Sequence, residues 1–195
     1  MAENPGLSLI VGLGNPGVEY AKTRHNAGIW LVDKLAEKYS ASFRRETRFK
    51  AHLCRIDLGD NEIWLLKPDT YMNESGPSVA GCAAYYKIEA GQTLVAHDEL
   101  GLGCGKLRLK RGGGHGGHNG LRDIASHLNP EFARIRIGIG RPTAKQDVAR
   151  YVLNVPRVQD QQLITAAISV LLEQIETVVT GDLEAATKKL GSHCK

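Results

Sequence analysis

No stretch of this 195-residue chain approaches the ~20 consecutive apolar residues that span a membrane. The amino terminus also lacks the basic-then-apolar pattern of an export signal, so a cytoplasmic protein is expected. Cysteine is sparse, and Cys54, Cys82, Cys104 and Cys194 share no C-x-x-C spacing. That removes the usual zinc and dithiol motifs and leaves free thiols as the reading. No G-x-S-x-G elbow is present. There is no internal repeat and no linker. The chain reads as one domain over residues 1–195, with a core from about 7 to 156 and carboxyl-terminal helices from about 157 to 191. Charge of neither sign dominates: 25 basic against 21 acidic residues give a net +4, compatible with a nucleic-acid partner but not diagnostic of one.

What is present centres on residues 7–28. Leu7 to Leu13 is an apolar run bounded by glycine, the pattern of a buried strand. Gly14-Asn15-Pro16-Gly17 then forces a tight, rigid turn. About ten polar residues follow, presenting Asn15, Tyr20, His25 and Asn26, before Ala27, Trp30, Leu31 and Leu35 recur at helical spacing. A strand, a turn, a polar loop and a delayed helix suit an active site at the carboxyl edge of an α/β sheet. Gly12, Gly14 and Gly17 also spell the G-x-G-x-x-G dinucleotide fingerprint. That fingerprint needs a helix amino terminus directly behind the glycines to hold a pyrophosphate. Here the helix is delayed, Pro16 removes an amide donor, and Asp33 falls inside the helical pattern. Nucleotide binding is the weaker reading.

Strands and helices alternate through the rest of the chain, which predicts a three-layer α/β/α domain. A basic loop from Phe43 to Lys50 precedes strands at His52–Leu58 and Glu62–Lys67, joined by a Gly59-Asp60-Asn61 turn. A helix starts near Ser75 and Pro77, with Val79, Cys82, Ala83 and Tyr86 as its apolar face. Tyr71, Met72 and Asn73 sit just ahead of it, either as a binding surface or as loop anchors. Leu94-Val95-Ala96 is another buried strand, delivering His97, Asp98 and Glu99 at its end. Residues 105–111 alternate as a half-exposed strand with Lys106, Arg108 and Lys110 outward.

From Gly112 to Gly120, six of nine residues are glycine, which suits a lid or a loop lying against a ligand. His115 and His118 are three apart, yet a glycine-rich loop is a poor frame for tetrahedral zinc. Asn119 is expected to cap a helix from Leu121 to Leu128. Arg134 to Gly140 alternates as a strand, and Arg134, Arg136 and Arg141 form a second basic group able to hold phosphates. Residues 143–147 read as polar loop and Asp147–Leu153 as a short helix. One long helix is expected from Val158 to Thr180, on the apolar positions Leu163, Ala167, Val170, Leu171 and Ile175. Asp182 caps a final short helix, and Ser192–Lys195 is expected to fray.

Five motifs stand in register: G-L-G-N-P-G-x-x-Y at 12–20, T-R-H-N-A-G at 23–28, Y-M-N-x-S-G at 71–76, H-D-E-L at 97–100 and G-G-H-N-G-L at 116–121. In that order and spacing, from about Leu9 to Pro156, the chain resembles the bacterial peptidyl-tRNA hydrolases. The resemblance implies a single α/β/α domain around a twisted mixed sheet. It also implies an esterase that cleaves a peptide from the terminal ribose of tRNA, with peptidyl-tRNA as partner. No metal, cofactor, membrane or obligate protein partner is implied, and the family is generally monomeric and cytoplasmic.

On the matching positions, His25 would be the general base and Asp98 the carboxylate that orients it. Asn15, Asn73 and Asn119 are candidate donors for the oxyanion, and Asn15 would distinguish a peptide amide from the free amine of aminoacyl-tRNA. Tyr20, Tyr71, Met72, His118 and Asn119 would line the substrate cleft, with Lys110 and Arg136 clamping tRNA phosphate. Two departures stand out: Glu99 to Gly105 lacks the aspartate and proline common in relatives, and Tyr71 stands where phenylalanine is frequent. The competing reading is a non-catalytic RNA-binding protein on the same scaffold, with a dinucleotide-dependent enzyme third.

Overall fold

The computed structural model describes residues 6–59, 61–142 and 147–194, with the side chains of Ser192 and Cys194 outside that description. Seven strands form one sheet: β1 (Leu9–Gly12), β2 (Arg44–Glu46), β3 (Ala51–Leu58), β4 (Asn61–Pro68), β5 (Thr93–Glu99), β6 (Leu107–Arg111) and β7 (Ala133–Gly138). Their spatial order is β2-β3-β4-β1-β5-β7-β6. β4, β1, β5 and β7 are parallel neighbours. β2 and β3 at one edge and β6 at the other run antiparallel to the strands they pair with. The sheet is mixed, and its parallel centre consists of the apolar runs that parallel strands need when both faces are covered.

Alternation along these strands divides the core in two. Ile10, Leu65, Leu94 and Ile135 point to one face, against Leu31 and Leu35 of α1 (Ala27–Lys38) and Ile164 and Ile168 of α5 (Val158–Glu173). Leu9, Val11, Leu66 and Val95 point to the other, against Val79 and Cys82 of α2 (Ser75–Tyr85) and Leu121 and Ile124 of α3 (Asn119–His127). Helices therefore cover both faces. α1 lies close on the sheet because residue 28 is glycine: a Cβ there would meet the carbonyl oxygen of Ala96 and the backbone of Leu13.

Four expectations are corrected. The basic segment Phe43–Lys50 is not all loop, because Arg44–Glu46 pairs with β3 through the backbone as an edge strand. The long carboxyl-terminal helix breaks at Gln174, leaving α5 and a separate α6 (Ile175–Val179). Its buried stripe is Ile164, Ala167, Ile168, Leu171 and Leu172, while Leu163 is 53% exposed. Asn119 does not cap α3; that residue is His118. α4 (Val148–Val152) forms as expected, with Asp147 as its cap, and Asp182 caps α7 (Leu183–Leu190) as expected. Asp60 of the β3–β4 turn, residues 143–146 of the polar loop, and Lys195 with the side chains of Ser192 and Cys194 lie outside the described residues.

Candidate active site

β4, β1 and β5 end side by side, which gathers three chain segments at one edge of the sheet. After β1 comes Asn15, after β4 come Tyr71 to Asn73, and the end of β5 itself carries His97, Asp98 and Glu99. His25 arrives from a 3-10 turn, Arg24–Asn26, that leads directly into α1. His25 and Asp98 meet here, while Asn15 borders a separate recess with Pro16 and Asn26.

The imidazole of His25 and the carboxylate of Asp98 are both buried, and His25 Nδ1 lies 2.8 Å from Asp98 Oδ1. A carboxylate accepts, so Nδ1 donates and Nε2 is left as the unprotonated nitrogen. The same Asp98 Oδ1 lies 3.0 Å from Nε2 of His118. Burial alone would raise the Asp98 carboxyl; His118 foremost, and then His25, outweigh it and hold the group well below the usual carboxylate range. His97 Nδ1 donates to the Asp98 carbonyl at 2.7 Å. Burial first, and the adjacent His118 second, push the His97 imidazole down to about 3.

Asn15 is braced from two sides. Its backbone N–H donates to Asn26 Oδ1 and its carbonyl accepts from Asn26 Nδ2, each at 2.9 Å. Its side-chain oxygen accepts the backbone N–H of Met72 at 2.8 Å, so the Nδ2 donors are the part left for a ligand. The Met72 amide and the bracing role of Asn26 are what residue-by-residue reading missed. Nothing in the local sequence announces a bond across 57 positions.

A cavity of about 700 Å³ opens over the pair, lined by His25, Asp98, His118 and Asn119 on one side and by Val148, Val152 and Leu153 on the other. Among the described residues lining it there is no serine, threonine or cysteine. Asn73 and Asn119 also border a neighbouring polar recess, where Asn119 Oδ1 accepts from the Arg122 guanidinium. Tyr20 and Tyr71 meet edge to face at 6.4 Å between centroids, and Tyr71 is 56% exposed.

Met72 is corrected as a substrate contact: its side chain is 4% exposed and packs in the core with Val79 and Leu121, so only its backbone serves the site. The second basic group is corrected as well. Arg134 is 3% exposed, and its guanidinium donates to the carbonyls of Gly113 and Gly114 at 2.7 Å each, fastening the base of the glycine loop. Lys110 is exposed on β6, whereas Arg136 is half-buried and donates Nε to Glu99 Oε2 at 2.9 Å. Cys54, Cys82 and Cys104 are free, and burial pushes Cys54 up to about 11 and Cys82 to about 12, which makes inert thiols.

Among the described residues, His25, Asp98 and His118 bring one potential metal ligand each within 4.8 Å of one another. The carboxylate oxygen already sits between two imidazole N–H groups at hydrogen-bond distance, so the three form a hydrogen-bonded triad as they stand.

A buried, oriented histidine at the carboxyl edge of an α/β sheet, opening on a cleft whose described lining has no side-chain nucleophile, is the arrangement of a hydrolase that activates water. The comparisons with known proteins give that class its family. The peptidyl-tRNA hydrolase family profile matches residues 9–195. A peptidyl-tRNA hydrolase of Neisseria meningitidis is 46% identical over 187 residues, covering 95% of this chain and 97% of that protein. The crystal structure of peptidyl-tRNA hydrolase from Acinetobacter baumannii superposes with a TM-score of 0.92 at 45% identity, covering 98% of this chain and 97% of that one. A variant of the same enzyme gives 0.93 at 44% identity, with the same coverage. The chain belongs to the peptidyl-tRNA hydrolase family.

Proposed function

We propose that this chain hydrolyses the ester between a peptide and the terminal ribose of tRNA by direct attack of water, with His25 as general base. The observation that carries the mechanism is the 2.8 Å contact from His25 Nδ1 to Asp98 Oδ1. It fixes the tautomer, so Nε2 takes a proton from water as the oxygen attacks the ester carbonyl. The resulting imidazolium, held by the Asp98 carboxylate, returns the proton to the departing ribose oxygen.

Charge builds on the former carbonyl oxygen, and the carboxamides of Asn15, Asn119 and Asn73 are the neutral donors for it. Asn15 also accounts for selectivity. Its oxygen already accepts the Met72 amide, so it turns its N–H groups toward a peptide carbonyl, and those donors oppose a free ammonium. An unblocked aminoacyl group would bury an unpartnered charge. Tyr20 and Tyr71 supply aromatic faces for the terminal nucleotide, and Lys110 with Arg136 meets the phosphates beyond it. Arg136 must share its guanidinium with Glu99, so Lys110 is the freer of the two. We take the enzyme to work as a cytoplasmic monomer on peptidyl-tRNA, without a protein partner.

The test compares wild type and His25→Ala on N-acetyl-aminoacyl-tRNA and on unblocked aminoacyl-tRNA. Wild type should release tRNA from the blocked substrate only, and the variant should bind tRNA yet cleave at least ~100-fold more slowly. A folded wild type that binds tRNA and cleaves neither substrate would leave the RNA-binding scaffold as the better reading.

A further inference from the structure

We infer that His118 is a positioning residue for the proposed base, its two ring nitrogens tying the Asp98 carboxylate to the start of α3. The inference rests on the reading of His25 and Asp98 above and goes beyond it, since His118 then acts through Asp98, not on the substrate.

Donor and acceptor bookkeeping fixes the arrangement. The backbone N–H of Leu121 donates to His118 Nδ1 at 3.3 Å, closing the first turn of α3 as its amino-terminal cap. A nitrogen that accepts carries no proton, so the proton of a neutral His118 ring is on Nε2. That nitrogen lies 3.0 Å from Asp98 Oδ1, the oxygen that also takes the His25 Nδ1–H at 2.8 Å. One oxygen thus receives two imidazole N–H groups. The rings of His25 and His118 lie 5.0 Å apart, and the His97 ring backs His118 at the same 5.0 Å, edge to face.

The consequence is a shared carboxylate. Each N–H draws on the negative charge of Oδ1, so the bond from His118 reduces what Asp98 offers to the protonated form of His25. A base held too tightly in its protonated form is lost to catalysis at neutral pH; the second donor counters that. Other groups face the triad without the same freedom. On β5, His97 is held neutral by burial, and Glu99 is paired with Arg136 of β7 at 2.9 Å. Arg24, beside His25, has Asp160 of α5 at 3.9 Å. His115 and Arg141 border the cavity from exposed positions. Of these groups, His118 alone shares the Asp98 oxygen with His25.

Two measurements test this. In wild type, long-range proton–nitrogen NMR at pH 8 should show His118 as the Nε2–H tautomer and His25 as the Nδ1–H tautomer; a His118 protonated on Nδ1 overturns the proposal. The second measurement separates positioning from capping. His118→Ala removes both bonds, whereas His118→Ser restores a good helix cap but is too short to reach Asp98. Thermal stability should therefore recover in the serine variant. The acid limb of the kcat/KM profile for N-acetyl-aminoacyl-tRNA should move up by about 0.5–1 pH unit in both variants. An unmoved limb in both, or a limb that returns with stability in His118→Ser, reduces His118 to a cap and sinks the inference. A His25→Ala enzyme as active as wild type would instead overturn the reading of His25 as base, with the tautomer result still standing.

Discussion

The two regions to which the proposed function assigns chemistry and tRNA grip are built on opposite principles. In the triad, His25 and Asp98 are buried and His118 partly so, and bonds of 2.8 and 3.0 Å to one oxygen fix it. The cationic face of β6 carries Arg108 and Lys110 outward, exposed to water. Cross-strand register puts Lys110 opposite Arg134 and Arg108 opposite Arg136, so four cations share one side of the sheet. Two of the four are already committed, Arg134 to loop carbonyls and Arg136 to Glu99. Chemistry needs a proton held at one atom, which only burial and defined donors supply. Grip on a polyanion needs charge density, which exposure and mobility do not spoil.

That contrast can be broken at either end. The largest effect is expected at the triad: Asp98→Asn keeps the shape but removes the charge that holds the His25 imidazolium, and kcat should fall by roughly 100-fold or more. Single-turnover kinetics at saturating enzyme would show it, with tRNA affinity unchanged. Asn15→Ala should lower cleavage of the blocked substrate by ~100-fold, in line with loss of one oxyanion donor, and should narrow the gap between blocked and unblocked substrates. Parallel assays on the two substrates check this.

Between the regions lies the scaffold. Gly28→Ala should destabilise the fold by about 1–3 kcal/mol or more, because its Cβ has nowhere to go against Ala96 and Leu13; a denaturant midpoint reports it. At the exposed end, Lys110→Ala should weaken tRNA binding several-fold and reduce the salt slope of log K by about 1, leaving the chemical step alone.

The smallest effect concerns acid stability. His97 sits at about 3 in the folded protein against an ordinary 6.5. The unfolded chain therefore binds the extra proton between those values. The contribution of His97 is complete above about 6.5 and is lost as pH falls toward 3; Asp98, also held low, extends the loss below about 4. His97→Asn keeps a donor for the Asp98 carbonyl but cannot titrate. Calorimetry from pH 7 to 4 should show a shallower fall in Tm, by about 2–4 °C for each kcal/mol retained.

How much of this the sequence disclosed follows the same division between local and distant. β1 and β5 were legible because apolar runs bounded by glycine and polar residues have few other uses, and α2, α4 and α7 announced themselves through Ser75, Asp147 and Asp182. β2 was not, since Arg44-Arg45-Glu46 has no apolar alternation and is a strand only because β3 offers it a backbone partner. The break at Gln174 was hidden by apolar residues that continue at helical spacing on both sides. At the candidate site, the pairing of His25 with Asp98 was legible through motifs standing in register. The double use of Asp98 Oδ1, the Asn15–Asn26 brace and the Arg134 fork depend on contacts between segments 11 to 73 positions apart. No local pattern encodes those.

The most direct test of the division between chemistry and grip is single-turnover cleavage of N-acetyl-aminoacyl-tRNA, measured against enzyme concentration at several salt concentrations, for wild type and His25→Ala. Salt should move the half-saturating enzyme concentration while the maximal rate stays fixed. His25→Ala should lower that maximal rate by ~100-fold or more with half-saturation unchanged. A maximal rate that falls with salt, or a variant that cleaves as fast as wild type, would contradict the account.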